Sequence, residues 1–407
     1  MCGVFGLQEG VNDLIEGLSN GTSLVSLSMR KNKIGKEGGK YFGQILSSSN
    51  CSLTSLDVSC NRITHDGLKD LLLPLITNQS SKPNDEGKLV HLNLWENQLT
   101  KSSALLLSNL ISQNQSLTSF NIRGNAIESE GIIKIANAIK KNATLKLLNL
   151  TGNSIGGSGA NELAQAISGN TSIQELILSG NLIADYGASC MSNAIASNSA
   201  INRLHLDLNS IGDSGCIDLA KSLKENSSIS YFNLAFNHIG AIGLQELGLS
   251  LLTNQHITTL HLEGNSAGGE AISGLVDHLI SNNTITYLDL SSNRLRHEGA
   301  AAITRLLASE TTRIKQLFLC KNGLKDEDIV LLCTSLKSNS TILKLDLSEN
   351  LIQNAGAKAI SEVILINNNI VHISLLQNPL TLEGVQVLEE ACSRNLRILC
   401  LKDPPKN

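Results

Sequence analysis

Aromatic side chains are scarce in this sequence: phenylalanine, tryptophan and tyrosine together make up 3% of it, and tryptophan occurs once. With only five prolines as well, the chain is poorly equipped for an all-β sandwich with many turns. Basic charge is not in excess. Lys and Arg number 32 against 36 Asp and Glu, a net charge of −4, so the electrostatic footprint of a nucleic-acid binder is missing. The nine cysteines contain no C-x-x-C pair, which removes zinc-ribbon and thioredoxin-like spacings. No apolar run approaches the roughly 20 residues that span a bilayer, and no charged segment followed by a long apolar stretch marks a secretory signal. These absences point to a cytoplasmic, soluble protein that binds neither nucleic acid nor membrane. The N-x-[ST] sequons, at Asn142, Asn170 and Asn226 among others, then read as incidental.

What the chain does have is a period. Asparagines recur at 32, 61, 97, 125, 153, 181, 209, 237, 265, 293, 322, 350 and 378, and every step from Asn97 to Asn293 is 28 residues. Each unit reads L-x-x-L-x-L-x-x-N-x-[IL]-x-x-x-G, followed by apolar residues ten and fourteen places after the asparagine. In the unit at Asn153, Leu145, Leu148 and Leu150 precede the asparagine, and Ile155, Gly159, Leu163 and Ile167 follow it. Leu148 and Leu150 alternate with period two, which predicts a short strand, and the i, i+4 spacing of Leu163 and Ile167 predicts a helix with one buried stripe. The asparagine side chain carries both a donor and acceptors, so it is suited to tie one coil to the next. The glycine, replaced only by Ser103, Ala271 and Asp328, suits close approach where the helix begins.

Stacked units place parallel strands about 4.8 Å apart, whereas helices need about 10 Å each. The mismatch predicts a curved α/β solenoid, a horseshoe with strands on the concave face and helices on the convex face. The pattern resembles the ribonuclease-inhibitor-like class of leucine-rich repeat over nearly the whole chain. It is similar in its near-uniform units to the repeat regions of NOD-like receptors and Ran GTPase-activating proteins. The resemblance implies a non-enzymatic module that binds a folded protein partner. It also admits a GTPase-activating protein like the Ran activators, the regulatory repeats of an immune-type sensor, or a host-targeted effector. The acidic tail typical of the Ran activators has no counterpart in the final CLKDPPKN.

One domain over 1–407 is expected, with thirteen repeats across 24–395, a loop insertion at 79–87, and a final strand and tail over 396–407. The opening MCGVFG invites comparison with amidotransferases that use Cys2 as nucleophile. Counting back one unit instead makes 1–23 a half-repeat cap, with Val4 in the asparagine position.

Residues between the buried leucines remain free for binding, and most are small. Two groups stand out: Trp95 with His91 and Arg123, and Arg203, His205, Asp207, Tyr231, Phe236, His261, Glu263, Tyr287 and Asp289. Tyrosine, tryptophan and arginine are enriched at interface hot spots, so these residues are the candidate protein-binding surface. The column Asn93, Asn121, Asn149, Ile177, His205, Asn233, His261, Asp289 predicts side-chain hydrogen bonds from strand to strand. No catalytic residues, cofactor or metal are expected. No nucleophile accompanies His205 and Asp207, and His205 and His261 lie two strands, about 10 Å, apart. GKEGGKY at Gly35 lacks phosphate-loop spacing, and HEGAA at His297 is not H-E-x-x-H. A monomer is expected.

Overall fold

The computed structural model describes residues 23–77, 88–265, 267–397 and 399–401. The expected N-terminal half-repeat, the insertion at 79–87 and most of the C-terminal tail lie outside the described residues. The chain forms two compact units, one of residues 1–183 and 193–205 and one of residues 184–192 and 206–407.

In the first unit, three-residue strands β1 (Ser26–Ser28), β2 (Ser55–Asp57), β3 (His91–Asn93), β4 (Ser119–Asn121), β5 (Leu147–Asn149), β6 (Glu175–Ile177) and β7 (Arg203–His205) pair in chain order. Every pairing is parallel and joins equivalent repeat positions, as in Leu148 opposite Leu176. The second unit repeats the arrangement with β8 (Tyr231–Asn233), β9 (Thr259–His261), β10 (Tyr287–Asp289), β11 (Gln316–Phe318), β12 (Lys344–Asp346), β13 (His372–Ser374) and β14 (Leu399–Leu401). A helix follows each of β1 to β13, so the architecture is the α/β repeat solenoid that the period predicts.

Packing follows the repeat. Leu145, Leu148, Leu150, Ile155, Leu163 and Ile167 are all at most 1% exposed, and equivalent positions fill the space between strands and helices in nearly every unit. Each such side chain contributes about 1.5–3 kcal/mol on burial. The glycine after the asparagine is there for space. A Cβ at Gly67 would stand 2.7 Å from the carbonyl oxygen of Lys36, and one at Gly159 2.6 Å from the Ile132 side chain.

The repeating asparagine works as anticipated. Asn153 Nδ2 donates to the carbonyls of Leu150 (3.0 Å) in its own coil and Ile122 (2.9 Å) in the preceding one. Its own backbone N–H donates to Asn181 Oδ1 at 2.8 Å. A second ladder, which the pattern above did not include, runs through Asn114, Asn142, Asn170, Asn198, Asn226, Asn254 and Asn282 at the helix ends, all of them buried. Asn170 is typical: Nδ2 donates to Ile139 O and Asn142 O (both 2.9 Å), while Oδ1 accepts from Ser172 N–H (3.0 Å) and Ile173 N–H (2.9 Å). The sequons at 142, 170 and 226 are therefore members of this ladder, and their amides are engaged in the interior.

Candidate interaction surface

The loop that leaves each strand sets which side chains reach the open strand face. In all thirteen repeats the residue just before the asparagine has positive φ, from Lys31 (63°) to Gln377 (57°). Glycine fills it at 124, 152, 180 and 264, where the left-handed conformation carries no steric penalty. Phe236 and Leu208 occupy it at φ of 52° and 58° and are nonetheless 45% and 55% exposed. A bulky apolar residue held in this conformation and turned to solvent is strained without a core role, which favours a functional reading.

The column at the strand ends bonds along the sheet at some positions, through His205, Asn233 and Asp289, and within its own turns at others. Asn93, Asn121, Asn149, Asn233 and Asp289 each accept from the N–H two residues further on, at 2.9–3.1 Å. These local turns satisfy the side-chain oxygens within their own chain segment before a neighbouring strand is needed. Two of these also reach sideways: Asn233 donates from Nδ2 to Asp207 Oδ1 at 3.0 Å, and Asp289 shares a hydrogen bond with Glu263 of the preceding repeat.

On the first unit, Trp95 is sandwiched between two guanidinium groups, Arg30 at 4.3 Å and Arg123 at 5.1 Å from its ring centroid. The indole is half-buried, and its Nε1 is shielded from solvent without a hydrogen-bond partner. Gly124 explains the fit, because a Cβ there would come within 3.1 Å of Trp95 Nε1. His91 is exposed on β3. A cavity of about 460 Å³ opens beside this sandwich, lined by Cys60, Arg62, Glu96, Gln98 and Gly124 to Ala126. Burial, together with Glu96 beside it, pushes the Cys60 thiol up, so it is not an activated nucleophile. Further along the same unit, Glu175 binds both Arg203 Nε (3.2 Å) and His205 Nε2 (3.1 Å).

On the second unit, four rings from successive strands stack side by side. Centroids are 5.1 Å apart for Tyr231–His261, 4.7 Å for His261–Tyr287 and 4.8 Å for Tyr287–Phe318, with Lys344 Nζ 4.9 Å over Phe318. Ring spacing matches strand spacing because all four occupy neighbouring positions of one parallel sheet. Acidic groups run beside the rings. The Glu263 carboxyl is pushed up to about 8 by burial, by its hydrogen bond to Asp289 and by the charges of Asp289 and Asp207. The same burial and neighbouring carboxylates raise the Tyr287 phenol above its ordinary range. Phe236 closes the rim, its ring lying against Gly264 where a Cβ would overlap it.

The structure thus brings Tyr231, His261, Tyr287, Glu263 and Asp289 into one strip, with Phe236 at its edge and Asp207 nearby through Asn233. Arg203 and His205 are tied instead to Glu175, and Trp95 and Arg123 form a separate stack. Sequence reasoning missed Arg30, Glu175, Phe318 and Lys344. Each occupies one of the free strand or rim positions, so the signal was present in the repeat register. It also tested histidine pairs for metal binding and overlooked His261 with the two carboxylates.

Among the described residues no helix is long and apolar enough to cross a membrane. The leucine-rich repeat family model matches residues 22–43, 49–72, 113–136, 141–164, 169–192, 197–220, 225–248, 281–303 and 338–361, together a little over half of the chain. No curated protein sequence matches it. Among solved structures, the yeast Rad7–Elc1 complex is similar at 15% identity and a TM-score of 0.50, covering 92% of this chain and 85% of that one. LegL7 of Legionella pneumophila is 20% identical with a TM-score of 0.47 (71% and 95% covered), and the internalin InlF of Listeria monocytogenes 18% identical with 0.45 (99% and 95%). With nine matching repeats, the chain belongs to the leucine-rich repeat family, whose repeats serve as protein-interaction modules.

Proposed function

We propose that this chain is a non-enzymatic interaction module that holds a folded protein partner against its strand face, with the aromatic–acidic strip of the second unit as the anchor. The observation that carries this reading is the file of Tyr231, His261, Tyr287 and Phe318, stacked at 4.7–5.1 Å and half-exposed in a chain with few aromatics. Rings already ordered against one another lose little entropy on binding, and aromatics dominate interface hot spots. Phe236, strained and exposed, extends the anchor. Trp95 with His91 and Arg123, and Arg203 with His205, form secondary contacts on the first unit. A monomer in the cytoplasm belongs to the same reading, and the 28-residue period supports the ribonuclease-inhibitor-like class.

The test is affinity capture from cytosolic lysate with wild type beside a Tyr231→Ala/Phe236→Ala/Tyr287→Ala variant of matched circular dichroism. A protein retained at least ten-fold better by wild type supports the reading. Equal retention of the same proteins by both places binding elsewhere and overturns the anchor.

A further inference from the structure

His261 at the end of β9, Glu263 in the turn after it and Asp289 at the end of β10 each offer one ligand atom, and these atoms lie within 4.8 Å of one another. Two of the three are fixed by the sheet, since His261 and Asp289 are register partners across the β9–β10 pairing. The imidazole is oriented by the rings of Tyr231 and Tyr287 on either side of it. Ligand atoms bound at about 2.0–2.2 Å to one Zn2+ stand roughly 3.3–3.6 Å apart in a tetrahedral site. Closing the cluster around an ion needs a shift of about 1 Å, within reach of the half-buried Glu263 side chain.

A second observation sets this trio apart from an ordinary acidic cluster. Asp289 is 6% exposed; its Oδ1 accepts from Ser291 N–H at 2.9 Å and it shares a hydrogen bond with Glu263, but among the described residues neither carboxyl forms an ion pair with a lysine or arginine. These hydrogen bonds offset part of the cost of taking the carboxyls out of water, and no cation offsets the rest. Asp207 lies two strands away in the same column as Glu263, with only buried Ala235 between them, and its charge adds to the local negative potential. The place where positive charge would be most stabilising is therefore also the place where a nitrogen and two oxygens converge.

We propose that His261, Glu263 and Asp289 form a binding site for a first-row divalent cation, Zn2+ foremost, held by one imidazole nitrogen and two carboxylates. The imidazole favours a borderline transition metal over Ca2+ or Mg2+, which prefer oxygen ligands alone. Three protein ligands leave a fourth position for water or for a side chain of a bound partner. The site stands whether or not the strip engages a protein.

Isothermal titration of the full chain with ZnCl2, after chelator treatment and under reducing conditions, tests it. One site per chain is expected, weakened at least ten-fold by His261→Ala and by Asp289→Asn, and left in place by Ca2+. His91→Ala and Cys60→Ser, outside the trio, leave it unchanged. Because buried Asp289→Asn can disturb folding, Glu263→Gln at a half-exposed position is the second variant, with the same loss expected. Zn2+ binding that survives His261→Ala and Glu263→Gln, or falls with Cys60→Ser instead, overturns the assignment. So does the absence of binding by wild type.

Discussion

Replacing Asn170 by alanine should destabilise the first unit by about 2 kcal/mol, although the residue touches no candidate binding group. The side chain bonds to four backbone groups: Ile139 O, Asn142 O, Ser172 N–H and Ile173 N–H. Asn142 O retains Ser172 Oγ at 3.2 Å, and Ser172 is partly exposed, so water reaches its N–H. Ile139 O retains the Asn142 N–H at 3.2 Å, so Ile173 N–H is the group left without a bond in the interior, and an orphaned buried group costs about 1–3 kcal/mol. With the weakened bonding at Ile139 O and Asn142 O this gives the stated magnitude, a large effect beside a typical point substitution. Asn161→Ala is the control: its Nδ2 makes one 3.4 Å bond to Glu162 at a half-buried position, and a loss below about 0.5 kcal/mol is expected. Trp95, the only tryptophan, lies in the same unit. Urea unfolding followed by its fluorescence therefore reports the affected unit without interference from the other. A loss under about 1 kcal/mol for Asn170→Ala would refute the view that this second ladder holds consecutive coils together.

Three further outcomes are expected. Arg30→Ala or Arg123→Ala uncovers a face of the indole, so Trp95 emission should shift to the red and stability fall by about 0.5–1 kcal/mol each; an unchanged spectrum would contradict the sandwich. With its pKa raised to about 8 in the fold, Glu263 favours folding while protonated, so its contribution is complete below the ordinary carboxylate value and fades as pH climbs from about 4.5 through 8. Discounted for solvent at a half-exposed site, the change is about 1–2 kcal/mol, and Glu263→Gln should flatten the chelator-treated protein's stability profile over that range in chemical denaturation. Phe236→Gly trades release of left-handed strain, about 1–2 kcal/mol, against lost ring contact and added chain entropy. Its unfolding free energy should change by no more than about 1 kcal/mol while partner capture drops.

The legible part of this molecule was the part dictated by period. Leu148, Leu150, Asn153, Gly159, Leu163 and Ile167 each have one place to go once strand and helix alternate, and their positions in the sequence specify it. The helix-end ladder was equally regular, but Asn142, Asn170 and Asn226 read as sequons because their burial depends on a neighbouring coil 28 residues away. The site was less legible for a related reason. Tyr231 and Tyr287 draw notice individually, whereas Phe318 matters only as the next ring in their file, and Glu175 only because Arg203 and His205 converge on it. Arg30 reaches Trp95 from β1 to β3 across small side chains, Ser59 and Cys60, of the intervening repeat. A single-residue reading finds distinctive side chains; side-by-side pairing decides which of them form a surface.

The central claim is that the strand face holds the partner, and site-specific photocrosslinking tests it most directly. A photoreactive residue placed at Tyr231, on β8, should form a covalent adduct with the captured protein, whereas one at Ile242, 61% exposed on the helix Ala241–Leu251, should form none. Adducts from Ile242 with none from Tyr231 would contradict the account and move the interaction to the helices.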